Sequence, residues 1–186
     1  MRRRARSTNP ALPPTWRLPR RPSHDTSICL STLLLVRRLR PRSGNVGKRL
    51  VRPPKVYIRD SGLLHALLDL GSWQDVLGHP VVGASWKGFV IENLITLAGD
   101  RRTPYYYRTE DGSEVDLLFE RGGTVEMAVE IKRSTAPVLS RGFSLALQIL
   151  KPHEAYLVHG GTETWPTSDR ITAVSLRDLM RRLASK

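Results

Sequence analysis

Apolar and polar residues alternate along two consecutive stretches of this chain, residues 113–119 and 125–132. Val115, Leu117 and Phe119 fall on one side of the first; Val125, Met127, Val129 and Ile131 fall on one side of the second. Side chains alternate faces along a strand, so this period of two predicts a β-hairpin turning at Arg121-Gly122-Gly123 with those residues in a core. Asp116 lies opposite the apolar side of its strand, and Glu130 and Lys132 share one face of theirs. A turn centred on Gly122 or Gly123 sets Asp116 across from Ala128 or Glu130. Either register brings two carboxylates and a lysine to one end of the hairpin.

Elsewhere the apolar period lengthens to that of a helix. Trp86, Val90, Leu94 and Leu97 form one row, widened by Phe89 and Ile95, and predict a helix over 86–97. Glu92 sits on its narrow polar strip with Ser85, Gly88 and Thr96. Phe143, Ala146, Leu147 and Leu150 mark a second helix over 139–150, after Pro137. Ser175, with Asp178 three residues on, caps a third over 176–183. Ser61 reads as the cap of a fourth over 62–70, ended by Gly71. Strands are predicted at 55–60, 105–108, 155–159 and 171–174, with an Asp111-Gly112 turn before the hairpin. Residues 27–39 are apolar and read as a helix or a strand, broken by Pro41 and Gly44. The order from residue 86 is helix, three strands, helix, strand, strand, helix. That order predicts an α/β or α+β sandwich, an αβββαβ core with a central mixed sheet flanked by helices.

Charge changes the picture at the N-terminus. The 186 residues carry a formal net charge of +13, yet residues 1–60 hold 16 Lys/Arg against 2 Asp/Glu, and residues 61–186 hold 14 against 15. The first third is therefore read as a solvated tail or as an arm contacting nucleic acid. Residues 1–23, rich in Arg, Pro and Ser, are expected to be disordered. Cys29 is the only cysteine, which excludes an internal disulfide and a cysteine-based metal cluster and fits a reducing compartment. The apolar run 28–36 is too short to span a bilayer, so a soluble cytoplasmic protein with no membrane partner is expected. His65, His79, His153 and His159 lack metal-ligand spacing and read as turn or surface residues. Trp86 and Tyr105-Tyr106-Tyr107 read as packing.

The polar end of the hairpin suggests chemistry. Two carboxylates can hold a hard cation such as Mg²⁺, which polarises a phosphoryl oxygen and acidifies a bound water. A lysine two residues from a ligand can orient that water or offset charge. The same residues also make an ordinary cross-strand ion pair, worth about 0.2–1 kcal/mol.

Five stretches together resemble a known family. They are Gly62-Leu63-Leu64-His65-Ala66-Leu67-Leu68, His79-Pro80-Val81-Val82-Gly83, Gly88-Phe89-Val90-Ile91-Glu92-Asn93, Glu114-Val115-Asp116 and Glu130-Ile131-Lys132. The chain from about residue 45 to 186 resembles DUF4143, the domain found C-terminal to AAA-type ATPase modules in prokaryotes and placed with PD-(D/E)XK nuclease-like folds. The resemblance implies Mg²⁺-dependent DNA hydrolysis: Asp116 and Glu130 holding the metal with the Ile131 carbonyl, Lys132 positioning the attacking water, and Glu92 as an accessory acid. The chain is accordingly read as a disordered basic leader (1–26) outside the resemblance, a remnant of a winged-helix linker (27–60) and the nuclease-like domain (61–186), a truncated member.

Two departures bear on activity. Around Gly47-Lys48 a phosphate-binding loop would need a glycine where Arg42 stands and Ser/Thr where Arg49 stands, so neither ATP binding nor ATPase activity is expected. Relatives of this kind carry Glu directly after the aromatic at position 86, whereas this chain has Lys87. Hydrolysis is accordingly expected to be weak or lost, and a non-catalytic nucleic-acid- or protein-binding module, or a decayed fragment, stands as the alternative.

Overall fold

Residues 24–42, 53–168 and 170–185 are described by a computed structural model; the leader up to residue 23 and the stretch 44–49 lie outside them. The elements run α1(His24–Thr32), β1(Val36–Pro41), β2(Lys55–Ile58), α2(Ser61–Leu67), α3(Trp73–Gly78), α4(Val82–Ala98), β3(Thr103–Arg108), β4(Glu114–Arg121) and β5(Thr124–Ile131). They continue with α5(Arg141–Leu150), β6(Glu154–His159), β7(Trp165–Ser168), β8(Ile171–Ser175) and α6(Leu176–Ala184). The strands form one mixed sheet in the order β2-β1-β3-β4-β5-β6-β8-β7. From α4 to β6 the order is αβββαβ, a mixed α/β fold with helices on both sheet faces.

Two cores flank the sheet. On one face Val90, Ile91 and Leu94 of α4 and Leu176, Leu179 and Leu183 of α6 pack on Leu117, Phe119, Met127, Val129, Ile131 and Val158. On the other, Phe143 and Ala146 of α5 pack on Val115, Leu118, Val125, Ala128, Leu157 and Ala173. With both faces covered, β4 and β5 are buried along most of their length.

The hairpin turns on Gly122 and Gly123, both at positive φ (58° and 83°), the two-residue turn that matches strand twist and favours glycine at each position. Two register irregularities break the simple alternation. Tyr105 pairs with Leu118 and Tyr107 with Val115, so Asp116 and Leu117 together face Tyr106: a bulge on β4. Val115 consequently joins the α5-side core while Leu117 and Phe119 face α4 and α6, correcting the expectation that the three share a side. A second shift, between Phe119 and Glu120, turns Val125 to the α5 side, away from Met127, Val129 and Ile131.

Other boundaries moved for local reasons. Asp60, not Ser61, caps α2, accepting the Leu63 N–H at 3.0 Å; that helix stops by Leu68, and Asp69 takes a left-handed conformation (φ 56°). α4 starts at Val82, four residues ahead of the apolar row. Residues 27–39 form neither element alone: α1 ends, Leu34 turns at φ 60°, and β1 begins. β1 pairs with β2 and, in parallel, with β3 through Arg40 and Pro41. Two elements were unforeseen. α3 carries a reciprocal Ser72/Asp75 capping box. β7 contains Pro166, which an edge strand tolerates. His159 is buried, correcting its surface reading: its Nδ1 accepts the Gly161 N–H, Nε2 reaches the Glu163 carbonyl at 3.0 Å, and the ring lies 4.6 Å from that of Trp165.

The start of α5 is set tightly on the turn before β4. A Cβ on Gly142 would run into the Gly112 carbonyl oxygen, backbone that cannot swing aside. Gly142→Ala is expected to cost about 1–3 kcal/mol through this overlap. Urea denaturation checks it, and an unchanged midpoint would mean that α5 does not seat there.

Candidate functional site

The strands β4 and β5 part at the end away from their turn. Their last ladder pair is Leu117–Val129. Beyond it the Asp116 side chain takes over, its Oδ2 accepting the Ile131 N–H at 3.0 Å. The bulge makes this possible by re-aiming Asp116 toward the neighbouring strand. Asp116 is only 4% exposed, and its Oδ1 accepts a hydrogen bond from the Lys87 ammonium at 2.7 Å. The residue before that lysine, Trp86, donates its indole N–H to the Lys132 carbonyl at 3.1 Å. Two consecutive residues of α4 thus tie down both strand ends.

Glu130, 5% exposed, is held from the other side. One oxygen lies 3.0 Å from the Lys132 ammonium; the second accepts the Ser140 N–H at 3.3 Å. Ser140 caps α5, its hydroxyl accepting the Phe143 N–H.

The structure therefore brings Glu130 to Lys132, and Asp116 to the backbone of Ile131. The two carboxylates share no hydrogen-bond partner. Glu92 lies further along α4 in a separate cluster. Its oxygens accept two bonds from Arg37, each 2.9 Å, and one from Arg59 Nε at 2.6 Å. Burial pushes its carboxyl up, but the bonds and charges of Arg37 and Arg59 more than offset that, leaving it below the ordinary range. Sequence reasoning treated Lys87 as a departure and Trp86 as packing, and passed over Ser140. No pattern in the chain pairs residue 87 with residue 116, because only the α4–sheet packing sets that contact.

Electrostatics around Asp116 extend toward β2. Burial, then the charges of Asp116 and Glu114, push the Tyr57 hydroxyl far up. Burial also pushes the Glu114 carboxyl up, but a 2.8 Å bond from Lys55, with the charges of Lys55, Arg108 and Lys87, brings it net below its usual value.

Do these residues fit Mg²⁺? Such an ion wants several oxygen ligands, its own waters included, in near-octahedral array. Here all four carboxylate oxygens of Asp116 and Glu130 are engaged by nitrogen donors. Among the described residues, no three His, Cys, Asp or Glu side chains group as metal ligands. As arranged, the donor set fits two ammonium groups and not a hard dication.

The chain is a mixed α/β domain, a central sheet between helices, that carries an Asp on one strand and Glu-x-Lys on the next. The family follows: residues 82–179 match the domain of unknown function DUF4143, and the chain belongs to that family. Residues 26–74 match a second domain of unknown function, DUF8612. The chain is similar to Uncharacterized protein Rv2008c of Mycobacterium tuberculosis and to Uncharacterized protein Mb2031c of Mycobacterium bovis. Each is 41% identical over 145 residues, covering 78% of this chain and 32% of the relative. The chain thus spans about a third of the length of these curated relatives. No solved structure matches it. Among the described residues, no helix is long and apolar enough to cross a membrane.

Proposed function

We propose that this chain is a PD-(D/E)XK nuclease-like domain that serves as a nucleic-acid-binding module, with phosphodiester hydrolysis weak or lost. The observation that carries this reading is the Lys87 ammonium on Asp116. It completes a set in which every carboxylate oxygen at the hairpin end already has a nitrogen partner. The αβββαβ order and the Asp116, Glu130 and Lys132 positions support the nuclease-like ancestry. The excess of 16 Lys/Arg over 2 Asp/Glu in residues 1–60 supports a polyanion as partner. Arg40 of β1 is exposed and adds a positive charge at the surface of the sheet.

The hydrolytic reading assigns Mg²⁺ to Asp116, Glu130 and the Ile131 carbonyl, with Lys132 positioning water and Glu92 as accessory acid. It requires Lys87 to leave Asp116, and Glu92 to leave two arginines.

Fluorescence anisotropy with labelled DNA and RNA, alongside cleavage of plasmid and linear DNA in Mg²⁺ or Mn²⁺, tests the proposal. Binding is expected to weaken steeply with salt and to leave the nucleic acid intact. Each phosphate contact should contribute about 0.9 to the log–log slope on duplex DNA. Deleting residues 1–23, which carry seven arginines and no acid and precede α1, should flatten that slope. Metal-dependent cleavage abolished by both Asp116→Ala and Lys132→Ala would establish the hydrolytic reading instead. Absence of any binding would reject the module.

A further inference from the structure

A carboxylate as buried as Asp116 needs a countercharge, because an uncompensated buried charge is among the costliest features a fold can hold. Its two oxygens are not equivalent. Oδ2 is committed to the Ile131 N–H, where it replaces a missing ladder bond. Oδ1 faces the cation, and that cation is the Lys87 ammonium at 2.7 Å. Glu114, two residues earlier on the same strand, also feels the Lys87 charge, although its own bonded partner is Lys55. The ammonium therefore occupies a position set by β4 carboxylates at the point where the strands part. It is delivered there by α4, which the neighbouring Trp86 anchors to the Lys132 carbonyl.

We infer that Lys87 is a built-in counter-cation: its ammonium fills the place at Asp116 that a divalent metal would need, and so keeps metal out of the native protein. A metal ligated by Oδ1 would have to share one carboxylate oxygen with an ammonium already in hydrogen-bond contact, and two like charges at that range repel strongly. Charge, not shape, is the barrier. Removing the charge while keeping a side chain of similar length should open the position. The inference rests on the reading of the hairpin end as non-hydrolytic, but it is tested without nucleic acid.

The experiment titrates Mn²⁺ and Mg²⁺ into the full chain and into Lys87→Gln, Lys87→Met and Lys87→Arg, following melting temperature and the heat of binding. Wild type and Lys87→Arg should not respond. The Gln and Met variants should bind Mn²⁺ at least about tenfold more tightly than wild type. Their melting temperatures should rise with the ion and fall back with chelator. The double variant Lys87→Gln/Asp116→Asn, which removes both charges, should fold without metal and ignore it. Should the Gln and Met variants unfold when metal-free, refolding on adding Mn²⁺ is the expected result, and failure to refold overturns the inference. Equal metal binding by wild type and variants overturns it, as does no response in any of them. Nucleic-acid binding by the wild type, measured separately, keeps the two readings apart. Its loss with the metal response intact removes the proposed function alone, and the converse removes only this inference.

Discussion

Phe143→Ala is expected to destabilise the fold by about 3–5 kcal/mol, the cost of emptying a fully buried aromatic position. The upper part of that range applies because the surrounding core is built from small residues. Ala128, Ala146, Ala155 and Ala173 line it, and none of them can expand into the space left behind. The effect should reach the candidate site. Phe143 donates its N–H to Ser140, and Ser140 donates its own to Glu130, so loosening α5 removes one of the bonds that hold that carboxylate. Urea denaturation measures the first consequence; faster amide exchange at Ser140 measures the second. A loss under about 1 kcal/mol would place this side chain outside the packed core described here.

Glu92→Gln should give the second largest effect, about 2–4 kcal/mol at neutral pH, because it removes the charge on which two partly buried guanidiniums converge. Arg37 and Arg59 would then face each other without an anion between them. The pH dependence has a definite sign. Burial raises the Glu92 carboxyl, but the two arginines lower it further, so its folded value lies below the ordinary 4.5. A lowered carboxylate contributes stability that is fully present above the unfolded value and is lost as pH falls through the folded one. The gap between wild type and Glu92→Gln should therefore be widest near neutrality and close as the pH drops below about 4.5. A gap that stays constant down through that range would show that the ion-pair cluster does not form. Because Glu92 is spent on β1 and the residue after β2, this variant should leave nucleic-acid binding intact where the fold survives.

Much of the fold was legible because it is encoded locally. The period of two over residues 113–132, with Gly122-Gly123 between, specifies a hairpin whatever surrounds it. The Ser175 cap, the apolar row of α4 and the strand predicted at 155–159 gave elements within a few residues of their true limits. The two errors of facing share one cause. Val115 and Val125 changed sides because each hairpin strand carries an extra residue, and that insertion is defined only against its partner. β1 depends on a distant neighbour, pairing in parallel with β3 at Tyr105 and Tyr106, whereas β7 is a short edge strand beside β8 whose Pro166 hides the strand signal. His159 is buried because β7 brings Trp165 over it, 6 residues away in sequence but reached only through the sheet.

The order of residues alone determined which groups could act: an aspartate on one strand, a glutamate and a lysine on the next, and an N-terminal third that carries the positive charge. Alternation is a property of consecutive side chains, so it needs no partner to be read. Which nitrogen each carboxylate would hold was decided only when α4 packed across the sheet and set Lys87 against Asp116 and Trp86 against Lys132, while α5 brought Ser140 to Glu130. Those contacts join residues 10 to 46 positions apart, where only chain packing sets the distance.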